Sequence, residues 1–211
     1  SRKSRESRKN DEGGGLTVVD STIRENGCGI LLEGGVQFAR LRVEGSSIAH
    51  NAGAGITFQS AVNGQLDIVS TSIRNNGGGG VIVSTQSDNP PVTIRNTTID
   101  GNTKIGDGAG VWIGGTTQYT MTAEFTNVTI SNNAATGSGG GLYVVASEYP
   151  APFGPTVAFN NASVSGNVAD ADADGQGTGG GVVVIDSSVL TARNSIIAAN
   201  VTGTAGAPDC V

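Results

Sequence analysis

The strings DSTIREN (20–26), GSSIAHN (45–51), STSIRNN (70–76), NTTIDGN (96–102), NVTISNN (127–133), NASVSGN (161–167) and NSIIAAN (194–200) are one motif written seven times. An apolar anchor stands at Ile23, Ile48, Ile73, Ile99, Ile130, Val164 and Ile197. Three residues after each anchor comes an asparagine: Asn26, Asn51, Asn76, Asn102, Asn133, Asn167 and Asn200. The spacings are 25, 25, 26, 31, 34 and 33 residues, so the repeat is a structural unit of variable loop length.

Two further apolar columns travel with the anchor. Five residues before it stand Val18, Val43, Ile68, Ile94, Phe125, Phe159 and Ala192; seven before it stand Leu16, Leu41, Leu66, Val92, Ala123, Val157 and Leu190. Thr17, Arg42, Asp67, Thr93 and Glu124 lie between these columns. That alternation marks a strand with one buried face. After each of the first six asparagines a glycine-bearing stretch leads into a third strand: GILLE, GITFQ, GVIVS, GVWIG, GLYVV and GVVVI. Strands this short bury their inward faces only by stacking repeat on repeat. The predicted fold is all-β: a right-handed parallel β-helix of about seven three-strand coils, with its winding set by the crossover rule. At a rung spacing of ~4.8 Å it runs for roughly 34 Å. An inward asparagine at the same turn of every coil is expected to bond to those above and below it, a structural ladder.

Composition agrees. The chain has 34 glycines in 211 residues, only 36% hydrophobic residues and 14% charged ones, so its few apolar side chains must be placed regularly. Collagen is excluded by the absence of a three-residue glycine period and by only six prolines. No apolar run approaches the ~18–20 residues of a membrane span. Residues 1–15 form a polar tail containing Arg2, Lys3, Arg5, Arg8 and Lys9, and 16–211 form the β-helix. The acidic body argues against nucleic acid, because phosphates would be repelled.

The pairing of Ile130-Ser-Asn-Asn133 with Gly140-Gly-Leu142 resembles the repeat of the polymorphic outer-membrane protein family, with Ile or Val where Phe is usual. The closing string NSIIAANVTGTAGAPDC resembles the last coil of secreted bacterial pectate-lyase-like β-helix proteins. The resemblance implies an extracellular or cell-surface β-helix with an adhesive or scaffolding role.

The chemistry-bearing residues sort as follows. Carbohydrate-active enzymes of this fold need clustered carboxylates with a base. Here the one histidine, His50, has no carboxylate column beside it, and Arg24, Arg74 and Asp100 share an outward column that reads as surface charge. A polysaccharide-lyase-like enzyme acting on acidic polysaccharide is therefore the alternative, not the leading reading. Asp170, Asp172, Asp174 and Gln176 match the first half of a calcium loop, but Gly181 stands where a bidentate Glu belongs. Four Asn-x-Ser/Thr strings begin at Asn96, Asn127, Asn161 and Asn200, the first three in one repeated turn. A hydroxyl column, Thr22, Ser47, Ser72, Thr98, Thr129 and Ser163, raises ice binding, which its charged, uneven neighbour column disfavours.

On the third strand, Leu31, Ile82, Trp112, Tyr143 and Val183 alternate outward, an apolar stripe expected to be a partner surface toward surface proteins or glycans. The loop from Glu148 to Pro155 is the competing cover for it. Cys28 and Cys210 fall at opposite ends, too far apart to pair within one solenoid. They suggest an intermolecular disulfide in a head-to-tail assembly, with both ends lacking a recognisable cap and the basic tail lying against an acidic neighbour. The sequence thus points to a non-catalytic structural or adhesive β-helix, a subunit of a surface protein or filament.

Overall fold

Each repeat closes one coil, and every strand pairs in parallel with its counterpart in the coils before and after it. The structure is a computed structural model that describes residues 14–33, 39–60, 64–85, 91–115, 121–146, 154–203 and 209–210. The basic tail residues 1–13 and residues 148–153 of the proline-bearing loop lie outside the described residues.

The first sheet stacks Gly15–Val19, Arg40–Glu44, Gln65–Val69, Pro91–Asp100, Thr122–Ser131, Thr156–Asn160 and Val189–Arg193 in chain order. The anchor strands run beside it; in the fourth and fifth coils they fuse with it into the ten-residue strands Pro91–Asp100 and Thr122–Ser131. The third strands, Ile30–Leu32, Ile56–Ser60, Val81–Thr85, Val111–Gly115, Leu142–Ala146 and Val182–Ile185, form a separate sheet. A parallel bridge from Val182 to Cys210 adds the seventh coil to it.

One element departs from the three-strand expectation. Coils four to seven carry an extra two-residue strand directly after the ladder asparagine: Thr103–Lys104, Ala134–Ala135, Val168–Ala169 and Val201–Thr202. These coils have longer inserts between the asparagine and the third strand, and the added backbone finds its partners by pairing with itself from coil to coil.

Register follows the predicted columns. Leu16 pairs with Leu41, Leu41 with Leu66, and the anchors Ile23, Ile48, Ile73, Ile99, Ile130, Val164 and Ile197 stack one above another. A slip of one residue would turn every one of these side chains to solvent. Between the second and sixth coils the anchors are fully buried, each contributing on the order of 2 kcal/mol. In the fifth and sixth coils, Phe125 and Phe159 meet edge to face with centroids 5.2 Å apart.

The asparagines form a continuous ladder. From Asn26 to Asn167, each backbone N–H and each Nδ2 donates to the Oδ1 of the next asparagine at 2.9–3.3 Å. The other Nδ2 hydrogen goes back to the anchor carbonyl of the preceding coil, from Ile23 through Val164, at 3.0–3.3 Å. Asn76, Asn102, Asn133 and Asn167 are wholly buried, whereas Asn26 in the first coil is exposed. The residue before each ladder asparagine sits in the left-handed region, including Glu25, His50, Asn75, Asn132 and Ala199. That turn points the amide inward.

A second ladder went unseen in the sequence. The side-chain oxygens of Ser46, Thr71, Thr97 and Ser195 accept from the backbone N–H of Ser21, Ser46, Thr71 and Ala162 at 3.0–3.4 Å. Val128 and Ala162 interrupt it at the same inward position. The hydroxyl column next to it in sequence has the same residue types, so alternation alone did not separate the two.

Asn102→Ala strands the two donors of Asn76 and the carbonyl of Ile73, at roughly 1–3 kcal/mol for each buried group left unpaired. Asn26→Ala removes an exposed end member and should cost far less. Denaturant unfolding of the two variants measures the difference, and equal small losses would contradict a ladder that carries load.

Candidate functional site

The outward column of the third sheet was the sequence's candidate contact face. Leu31 is 47% exposed, and Ile82, Trp112 and Tyr143 are half-buried on successive coils. Trp112 folds its six-membered ring down over Gly114, where a Cβ would collide with it. The indole thus lies along the strand surface because position 114 has no side chain. Val183 is corrected: it is only 2% exposed, because the backbone at Gly179 crosses over its Cγ2. The face is therefore Leu31, Ile82, Trp112 and Tyr143, with Thr57 interrupting it in the second coil.

Electrostatics around this face come from the glycine-rich turns. Burial pushes the Tyr143 phenol up, with Asp107 and Asp186 adding to the rise. Burial pushes the Lys104 ammonium down against the smaller opposing pull of Asp107, whose carbonyl oxygen accepts from Nζ. The Asp107 carboxylate itself accepts from the Ser138 N–H at 2.7 Å, tying one turn to the next.

The acidic loop brings the oxygens of Asp170, Asp172 and Asp174 within 4.8 Å of one another. Asp170 is buried and the other two are exposed. Asp170 Oδ1 accepts from the Gly175 N–H at 3.0 Å, and Asp174 Oδ1 from the Gln176 N–H at 2.9 Å. Gln176 itself lies exposed beyond the three carboxylates.

The residues weighed for catalysis are dispersed. His50 is exposed in its left-handed turn, and the same turn in the neighbouring coil carries Glu25, a carboxylate that the sequence reading overlooked. Glu25 faces Arg24 at 3.7 Å. Arg74 and Asp100 are register partners, but Asp100 Oδ1 accepts from Ser131 Oγ at 2.7 Å and Asn132 Nδ2 at 2.8 Å. The first sheet carries a denser group. Asp67 accepts from Arg42, from Thr93 Oγ1 at 2.7 Å and from Arg95 at 3.1 Å, while Arg42 also binds Glu44 at 2.8 Å. Glu44 and Asp67 together hold the Arg42 guanidinium pKa above its ordinary value, the hydrogen bond to Glu44 being the largest cause. This is a closed ion-pair network with its carboxylates already occupied.

Asn96, Asn127 and Asn161 form an exposed amide ladder at 3.0 and 3.2 Å in left-handed turns. Asn200, by contrast, is a buried member of the inner ladder, which leaves no room for a glycan.

At the C-terminal end the inward Leu190 and Ile197 are only half-buried, but the inner ladder does not end on unpaired donors. The N–H and Nδ2 of Asn200 donate to Asp209 Oδ1 at 2.7 and 2.9 Å, so a carboxylate ends the inner ladder. Both cysteines are free and exposed. Cys210 stands in the column of Ile30, two residues beyond the position of Cys28. An in-register junction of two copies would leave them about 8 Å apart, beyond the ~7 Å a disulfide spans.

A solenoid of parallel strands around an inner amide ladder defines the class of parallel β-helices. The profile described as "Right handed beta helix region" matches residues 8–207, and the chain belongs to that family. The coils accordingly wind right-handed. No curated protein and no solved structure matches the chain.

Partial burial, with the Asp209 charge adding to it, pushes the Cys210 thiol pKa up. The thiol therefore holds its proton to higher pH, and thiolate is the reactive form. In Cys28→Ser, the remaining thiol should react with a disulfide reagent more slowly than a free cysteine peptide near about pH 8.5, with its midpoint shifted upward. A midpoint at or below the peptide's would contradict this.

Proposed function

We propose that the chain is a non-catalytic extracellular structural or adhesive β-helix, part of a surface protein or filament, that makes lateral contacts through its third sheet. The observation that carries this reading is the outer column of Leu31, Ile82, Trp112 and Tyr143, with Trp112 laid over Gly114. An apolar column held by a rigid sheet presents contact area at little entropic cost. The resemblance to polymorphic outer-membrane repeats supports the location, and the occupied carboxylates of Asp67 and Asp100 support a non-catalytic role. Partners of this face are other surface proteins or glycans, whose sugar rings stack on indole and phenol faces.

A second reading is carried by the acidic loop: it binds calcium weakly. Three carboxylates within 4.8 Å repel one another, and a hard divalent cation relieves that repulsion through oxygen ligands. The donors fit calcium in kind; the missing bidentate Glu at Gly181 keeps the affinity low.

Adhesion of the protein to immobilised surface glycans and surface proteins should fall about tenfold or more in a Trp112→Ser/Tyr143→Ser variant that keeps its strand circular dichroism. Unchanged adhesion would move the contact elsewhere. Release of unsaturated uronides from acidic polymers, abolished by Arg74→Ala or Asp100→Asn, would favour the lyase instead.

Millimolar calcium should raise the melting temperature of the wild type by mass action, and Asp172→Ala should remove the rise. Equal shifts in both proteins would leave the loop as solvated acid.

A further inference from the structure

We infer that Asp209 is a stop built into the asparagine ladder, which keeps the C-terminal end of the solenoid closed to a second copy of the chain. The argument starts from the glycine column. The residue before the third strand is Gly29, Gly55, Gly80, Gly110, Gly141 and Gly181 in the first six coils, and Asp209 in the seventh. From Gly55 to Gly181, the place of a Cβ lies 2.7–3.0 Å from the Nδ2 of the ladder asparagine in the next coil. Side chains are thus excluded from this column wherever another coil follows.

Asp209 breaks the rule at the end of the series. By the same geometry its Cβ points into the space that an eighth coil would fill. Its Oδ1 accepts the two hydrogen bonds from Asn200 that an eighth ladder asparagine would take. Its carbonyl oxygen accepts from the Gly181 and Val182 N–H groups at 3.0 and 2.9 Å, so the backbone keeps the third-strand register while the side chain turns into the ladder.

An incoming copy would have to present its first coil here, with Asn26 as the next ladder member and Gly29 over Asp209. Asn26 is exposed and adds an Oδ1 of the kind the ladder bonds to. Two features of Asp209 refuse it: the donors of Asn200 are already used, and the Cβ occupies the position of the approaching backbone. The strand edges at this end, where the inward Leu190 and Ile197 are only half-buried although Val157 and Val164 in the coil before are fully buried, are then left without the register that would let a neighbour pair with them. This inference concerns the end of the solenoid and is independent of the lateral contact face.

Two variants separate the causes. Asp209→Ala and Asp209→Gly both lose the ladder acceptor, so both should melt below the wild type. Only Asp209→Gly also loses the Cβ. In light scattering coupled to size exclusion over a range of concentrations, the wild type and Asp209→Ala should keep the same molar mass. Asp209→Gly should at least double its mass as concentration rises. The inference is overturned if Asp209→Gly keeps the wild-type mass, if Asp209→Ala assembles equally, or if the wild type assembles through this end. Loss of the strand signal in Asp209→Gly alone would also overturn it, because glycine is the residue native to this column.

Discussion

A buried primary amide must have two hydrogens bonded and at least one lone pair used, and the rest of this structure is arranged around that demand. Each ladder asparagine donates forward to the next amide and back to the preceding anchor carbonyl, while its oxygen receives two bonds from the coil before. The arrangement closes only if consecutive coils sit one hydrogen-bonded rung apart, in register, with the turn backbone in the left-handed region one residue earlier. An error in any of these would leave several buried polar groups unpaired at once. The ladder therefore ties together the turn, the coil spacing and the glycine that precedes the third strand.

Everything outside that constraint is free to vary, and it does so in an ordered way. Coil lengths differ because the connections on both sides of the third strand differ; the longer inserts after the asparagine stack into an extra sheet of two-residue strands. The same inserts shape the outer surface. They bury Val183, raise the Tyr143 phenol and bring three aspartates together, while Trp112 lies over a glycine on its own strand. A rigid inner ladder with adjustable outer turns is a suitable base for a contact surface, because the scaffold does not repack when the surface changes.

The chemistry that propagates the ladder also closes it at Asp209. An asparagine passes the ladder on, since it both accepts and donates along the axis. The Asp209 carboxylate only accepts, and its side chain fills the space the next coil would need. A cap of this kind costs no extra element. It uses the acceptor chemistry of the ladder without its donors.

The sequence by itself determined the coil. Anchor, asparagine and the two leading columns were legible because stacking makes every coil solve the same burial problem, so the same residue types return at the same offset. Asn76, Asn102 and Phe125 could be placed inside from spacing alone. The hydroxyl ladder through Ser46 and Thr71 was not legible, because inward and outward columns are adjacent and both rich in Ser and Thr. Nor was the burial of Val183, which depends on how a glycine-rich turn crosses the sheet, or the neighbourhood of His50 and Glu25, which depends on turn geometry. Asp209 is the sharpest case. In the sequence it is one aspartate in a terminal string; only the tertiary stack shows it in a column where six coils carry glycine. Periodic burial repeats itself along the chain and can be read there, whereas contacts between turns of unequal length are set in three dimensions.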